Sequence, residues 1–148
     1  MSDAGVVRLL IFRVGQLLCA TEAERVREIL PRLGATRIPG APSVVAGLVN
    51  VRGTLVTVVE GWRALRQPEP AAGGVDGTTV LLEVDAGKVL GFTVDEVVDL
   101  LAVSGGALEG RQALPGIDPT LVRAVGRRAG QLFVVLDTDA LLNPILSS

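Results

Sequence analysis

The chain has no histidine and no tyrosine, and only one cysteine, one tryptophan and three phenylalanines among its 148 residues. Without histidine the commonest general base and metal ligand is missing, and neither a Cys–His nor a Ser–His–Asp nucleophile can be assembled. A lone Cys19 allows no internal disulfide and fits a reducing compartment; set in an apolar run, it reads as a small core hydrophobe. Four aromatic side chains, Phe12, Trp62, Phe92 and Phe133, are too few for a base-stacking platform, and a net charge of −2 leaves no basic footprint for nucleic acid. No Walker-type loop or Gly-x-Gly-x-x-Gly occurs, so nothing here cradles a phosphate. A membrane-spanning helix needs about 20 consecutive apolar residues. The longest charge-free run, Ile38 to Val51, is shorter and is broken by Pro39, Gly40 and Pro42. The opening Met-Ser-Asp-Ala-Gly lacks a basic start leading into an apolar stretch, so no signal peptide is expected and the cytoplasm is the expected location.

Aliphatic residues take the place of what is missing. Hydrophobic residues make up 49% of the chain but aromatics only 3%, and the mean hydropathy is +0.50. A chain this long buries roughly 70% of its unfolded surface without metal or disulfide. The apolar excess beyond that points to surfaces that meet partners. Charge is uneven: residues 1–74 hold nine basic and six acidic groups, residues 75–148 five basic and ten acidic.

The organising stretch is Gly47 to Val59, in which two β-branched runs flank Arg52-Gly53. Glycine takes the positive φ of a tight reversal, so this is a predicted hairpin with Gly47 and Gly53 as its turn glycines. The pattern returns 77 positions on: Gly53 to Leu65 lies over Gly130 to Leu142, each a glycine, an apolar run, an acid and a final leucine. An earlier pair also recurs. Val6–Val14 with Leu17–Thr21 forms one predicted hairpin, and Thr78–Val84 with Lys88–Val94 another. Thr21 and Glu24 read as a capping box that opens a short helix over Val26, Ile29 and Leu30, ended by Pro31. Its counterpart, Val94 to Leu101, has a mixed pattern that also suits a strand. Strands are expected at Leu121–Arg127 and Gln131–Leu136, with helical turns at Trp62–Leu65 and Asp139–Leu142, the latter closed by Asn143-Pro144. Five short strands per half avoid open edges by curling up. The predicted fold is therefore mainly β: two small five-stranded barrels packed side by side, with short helices, in a single domain over 1–148. Subdomain 1 covers about 6–67, a linker 68–77, and subdomain 2 about 78–142.

The acidic pairs Asp95/Glu96 and Asp137/Asp139 have the chemistry to hold a hard cation, but neighbouring strand residues face opposite ways and no further ligands cluster near them. No metal, cofactor or catalytic residue is assigned, and a binding module fits better than an enzyme.

Three stretches give the chain a resemblance to a known family. They are Val26-Arg-Glu-Ile29 followed by Thr36-Arg-Ile-Pro-Gly-Ala-Pro42, Gly47-Leu-Val-Asn-Val-Arg-Gly53, and Leu90-Gly-Phe-Thr-Val-Asp-Glu-Val97. Together they resemble the CheW family, adaptors that couple chemotaxis receptors to the histidine kinase CheA. The resemblance runs from about Arg8 to Leu142 and implies two SH3-like barrels, a receptor groove between them and kinase contacts on barrel edges. It implies Val26, Ile29, Val49 and Leu142 as groove residues for a chemoreceptor signalling tip, and a groove-shaping ion pair between Glu28 and Arg52. Leu90, Phe92 and Val94 are candidates for the face that meets the regulatory domain of a CheA-type kinase. An exposed Glu28–Arg52 pair would contribute little, whereas a half-buried one would be costly to break. The chain departs from the family pattern at Cys19, Thr21, Thr57 and Glu60-Gly61, which bears on partner choice more than on fold. A CheW-like scaffold of another signalling array is the alternative. A different class, a small-molecule sensor, would use the cleft between barrels with Asp95, Glu96 and Asp99 as its polar groups. Neither nucleic acid nor membrane insertion is expected.

Overall fold

The computed structural model describes residues 5–70, 77–84, 87–110 and 114–146. Its strands are β1 (Val6–Val14), β2 (Leu17–Glu22), β3 (Val26–Pro31), β4 (Val45–Val51), β5 (Thr54–Val59), β6 (Thr78–Glu83), β7 (Val89–Val94), β8 (Glu96–Ser104), β9 (Glu109–Gly110), β10 (Val122–Arg128) and β11 (Gln131–Leu136), with helices α1 (Gly61–Ala64) and α2 (Thr138–Leu146). They form two sheets, ordered β8-β1-β2-β11-β10-β9 and β3-β6-β7-β5-β4. The expected mainly β architecture of two packed barrels with short helices is what the chain adopts.

The halves are not divided as expected. The first hairpin, β1–β2, lies in the sheet of the C-terminal strands, and β6–β7 lies in the sheet of β3, β4 and β5. No barrel boundary therefore falls at 68–77, of which residues 71–76 lie outside the described ones. The cause is a double exchange. β3 follows β2 but pairs with β6, and β8 follows β7 but pairs with β1.

The duplication itself holds at the level of individual pairs. In β4–β5, Val51 faces Thr54 and a bulge falls between Val45 and Gly47; in β10–β11, Arg128 faces Gln131 and a bulge falls between Val122 and Ala124. Each reversal uses two residues at positive φ, Arg52 and Gly53 (50° and 86°), or Ala129 and Gly130 (50° and 80°), the twist-matched form of hairpin turn. The Asn50 side-chain oxygen accepts from the Gly53 N–H at 2.7 Å, which helps Arg52 hold its left-handed conformation.

The segment expected as a capped helix is a strand. Only Ala23–Arg25 forms a 3-10 turn, and Val26–Pro31 alternates half-buried and exposed positions with period two. The Thr21 hydroxyl lies 3.1 Å from the hydroxyl of Thr138, both residues being buried, and caps nothing. β-branched Val26 and Ile29 then favour the pleated edge opposite β6. The counterpart stretch, left open between helix and strand, is strand β8. The last helix also runs further than expected, through Pro144 to Leu146, because Leu141 and Leu142 are buried on it.

Three apolar clusters fill the molecule. Leu9, Ile11, Leu18, Ala20, Phe133 and Val135 fill one barrel; Val49, Val56, Val58 and Leu81 fill the other. The third and largest lies between them, where Leu10, Phe12, Val14 and Cys19 meet Val80, Leu82, Leu90, Phe92 and Val94. Phe12 and Phe92 make an edge-to-face contact there, with ring centroids 6.2 Å apart. Cys19 is a core hydrophobe, as expected, and burial pushes its thiol up to about 12.

Gly53 serves the turn, but Gly47 does not. It sits at the β4 bulge with φ +146°, and a Cβ there would lie 2.1 Å from the Thr36 carbonyl oxygen, whereas a Cβ on Gly53 would meet nothing within 4 Å. The Thr36–Leu48 backbone bonds, 2.8 Å in both directions, need that close approach. Gly53→Ala is therefore expected to cost about 1 kcal/mol, the strain of positive φ alone, and Gly47→Ala several times more, as read by chemical denaturation.

Candidate functional site, a groove where the strands exchange

Where β3 and β8 pass between the barrels they leave an open apolar groove of about 410 Å³, lined by Leu10, Ala23, Val26, Ile29 and Val97 to Leu100. Its two walls come from different halves of the chain. Ile29 and Leu100 stand at its mouth, 46% and 63% exposed, and with Val26 and Val97 they make a contiguous apolar patch.

Both exchanges are tied down by ion pairs. The Arg25 guanidinium, in the turn before β3, donates to both carboxylate oxygens of Asp139 on α2, at 2.8 and 2.9 Å, and this pairing raises its pKa. Before β8, Arg13 donates to Asp95 and to Glu96, each at 3.0 Å, and Asp95 also accepts from the Gly15 N–H. Asp137 accepts from the Ala140 N–H at 3.0 Å, inside the start of α2. The acidic pairs singled out in the sequence thus have structural partners. Of the acids suggested for a cleft, only Asp99 lines the groove.

The predicted groove residues part company. Val26 and Ile29 line it. Val49 and Leu142 do not: Val49 points into a barrel core at 5% exposure, and Leu142, fully buried on α2, packs in the cluster between barrels. Leu90, Phe92 and Val94 are likewise buried between the barrels and present no face to a kinase. The strand that carries them was expected, but with a second barrel on its outer side it has no solvent side. Of the groove residues missed in the sequence, Val97, Val98 and Leu100 were signalled only by the wording shared between Val26-Arg-Glu-Ile-Leu30 and Val97-Val-Asp-Leu-Leu101, and Leu10 and Ala23 carried no such signal.

Glu28 and Arg52 face each other as expected, the guanidinium donating to both carboxylate oxygens, one of them at 3.0 Å. Arg52 is 70% exposed, so the pair is a solvated fork rather than a buried brace. Those hydrogen bonds lower the pKa of Glu28 and raise that of Arg52. The residues noted above as departures from the resembled pattern are built into the scaffold. Gly61, for example, packs so closely that a Cβ would lie 2.0 Å from the Thr93 carbonyl oxygen, and Glu60 accepts from the Trp62 indole N–H at 3.2 Å.

A profile of the CheW-like domain matches residues 8–145. The chain belongs to the CheW-like domain family. The chemotaxis protein CheW of Rhizobium meliloti is 29% identical over 138 residues, covering 89% of this chain and 84% of that protein. The chemotaxis protein CheW of Treponema pallidum is 26% identical over 140 residues, covering 92% and 82%. The crystal structure of the scaffolding protein TtCheW from Thermoanaerobacter tengcongensis superposes with a TM-score of 0.84 at 18% identity, covering 93% of each chain, and so shares the fold. In this CheW-like domain the groove lies between the two barrels, where β3 and β8 cross from one half of the chain to the sheet of the other.

Because the Glu28 carboxyl is held low by Arg52, the pair's contribution is present above the ordinary carboxylate range and is lost as the pH falls through the depressed folded value. Asp99 is lowered in the same sense, chiefly by its hydrogen bond from Arg128. In a carboxyl NMR titration Arg52→Ala should return Glu28 towards its ordinary value and leave Asp99 unmoved.

Proposed function

We propose that this chain is a non-catalytic adaptor that couples a chemoreceptor signalling tip to the regulatory domain of a CheA-type histidine kinase. The observation that carries the reading is the open apolar groove, with Val26 and Ile29 on one wall and Val97 and Leu100 on the other. A monomer gains nothing by leaving Ile29 and Leu100 in water, whereas an amphipathic helix laid in the groove would cover both. The groove is open to solvent and not an enclosed cavity, a shape suited to the side of a rod more than to a sequestered metabolite. Its one charged lining residue, Asp99, already accepts from Arg128 at 2.9 Å. A standard interface buries about 800 Å² per partner, and a transient receptor contact would bury less. The groove-shaping role of Glu28 and Arg52 belongs to this proposal, as does a cytoplasmic location. Contact with the kinase falls to exposed strand edges, since Leu90, Phe92 and Val94 are enclosed. A scaffold of a different signalling array would use the same groove with another receptor.

The test is binding of a soluble receptor-tip hairpin, from a chemoreceptor encoded alongside this chain, by calorimetry. Ile29→Glu and Leu100→Glu place a charge where the apolar ridge would seat and should each weaken binding more than tenfold, with the melting temperature little changed because both positions are exposed. Unchanged affinity in both folded variants would exclude the groove as the receptor site.

A further inference from the structure

The groove has an internal two-fold relation that the pairing registers make explicit. Val26 faces Leu82, Ile29 faces Val80 and Pro31 faces Thr78. On the other side Val97 faces Phe12, Leu100 faces Leu10 and Ala102 faces Arg8. The partners are themselves equivalent: Leu82 faces Leu90, which lies beside Thr57 of β5, while Phe12 faces Cys19, which lies beside Val134 of β11, and Thr57 and Val134 are 77 positions apart. Val26 and Ile29 therefore correspond to Val97 and Leu100, and Pro31 with Thr78 corresponds to Ala102 with Arg8.

A helix laid in this groove and then turned end for end about the two-fold meets valine where it met valine and leucine where it met isoleucine. The apolar contacts alone thus choose no direction. Charge separates the two. Period-two alternation puts Arg8 on the same side of β1 as Leu10, and Ala102 on the same side of β8 as Leu100, with no bulge in either interval. Arg8 and Ala102 are exposed, and Val6, next along that side of β1, is 69% exposed. The apolar strip therefore runs on past the groove with one cation set in it, while the equivalent place opposite Pro31 holds the uncharged Thr78. Arg32, the neighbour of Pro31, faces Glu60 instead, at 3.8 Å. Among the described residues no acid, Glu24 of the turn after β2 included, comes within ion-pair distance of the Arg8 guanidinium. Glu28 and Asp99 are taken up by Arg52 and Arg128, at the seams where each sheet closes.

We infer that Arg8 is the specificity-determining residue of the groove: by meeting an acid on the receptor helix it fixes the one direction in which that helix lies. This rests on the groove reading above. A helix covering Leu100 and Leu10 passes over Ala102 and crowds Arg8, and a guanidinium losing water there gains from a carboxylate on the arriving face. Two residues of strand span roughly 7 Å and one helical turn 5.4 Å, so the acid belongs about one to two turns from the side chain seated at Leu100. The reversed helix would bring that acid to Thr78, which offers no charge.

With the same receptor-tip hairpin, Arg8→Glu is expected to weaken binding roughly tenfold and Arg8→Lys less than about threefold. Each hairpin acid within about two turns of the seated ridge is then replaced by lysine. One such replacement should weaken binding to the unmodified chain and restore binding to Arg8→Glu to within about threefold of the original pair. A nitroxide attached beside that position should broaden the Ala102 amide signal in NMR and leave that of Thr78 sharp. Equal losses in Arg8→Glu and Arg8→Lys, no loss in Arg8→Glu, no hairpin lysine that restores it, or broadening at Thr78 equal to or above that at Ala102 would each overturn the inference. Should Arg8→Glu not fold, as judged by circular dichroism, the hairpin lysines and the nitroxide decide with the unmodified chain: a weakening lysine whose neighbouring label broadens Ala102 alone upholds the assignment, and any other result refutes it. Ile29→Glu serves as the control. If it binds as tightly as the unmodified protein, the groove reading itself has failed and the inference with it; if it loses binding while Arg8→Glu does not, the inference alone has failed.

Discussion

The structure depends on two hairpins that are buried on both faces. β1–β2 and β6–β7 lie where the barrels meet, so that Leu9 and Ile11 fill one barrel while Leu10, Phe12 and Val14 fill the space between barrels. On β6, Leu81 faces inward and Val80 and Leu82 outward to the shared core. A strand in that position reads as a continuous apolar run, which accounts for a mean hydropathy of +0.50 in a chain with four aromatic residues. Much of the apolar excess in the composition is spent inside the molecule, between its own halves.

The exchange of β3 and β8 follows from the same contact. Once the two central hairpins are packed face to face around Phe12 and Phe92, each chain segment leaving a hairpin is already at the neighbouring barrel, and pairing across costs no long connection. The exchange ties each barrel to strands of both halves and makes one cooperative unit of a duplicated sequence. It also creates the groove, because the crossing segments cannot fill the notch between two convex barrels. The proposed receptor groove thus takes one wall from each half of the chain.

The charged groups around this line act through placement more than through strength. Arg25 with Asp139, and Arg13 with Asp95 and Glu96, hold the crossings; Arg52 with Glu28, and Arg128 with Asp99, hold the seams. All are partly or largely solvated, a setting in which ion pairs add little to stability. Arginine suits all four sites because its planar fork can meet a carboxylate through two atoms while its stem covers apolar surface.

Local features were legible in the sequence. The Arg52-Gly53 reversal, the hairpins at both ends of each half, the absence of a histidine-based nucleophile and the Glu28–Arg52 pairing all depend on neighbours in the chain, on composition or on a family motif. Val26 and Ile29 do line the groove, although the segment carrying them was read as a helix: the Thr21 hydroxyl that suggested a cap is turned to Thr138 instead, and only a 3-10 turn at Ala23–Arg25 precedes the strand. What failed were statements about faces. Val49, Leu142, Leu90, Phe92 and Val94 were expected at surfaces and are buried, since alternation says which residues share a side of a strand and not what lies beyond that side. The sequence by itself determined where the chain bends and which residues lie together on a strand, for these are set by backbone sterics within a few residues. Only the tertiary structure decided which strand pairs with which, and hence where the groove and its second acid–arginine pair stand. Two equivalent hairpins offer nearly the same local partners, and packing between whole barrels makes the choice.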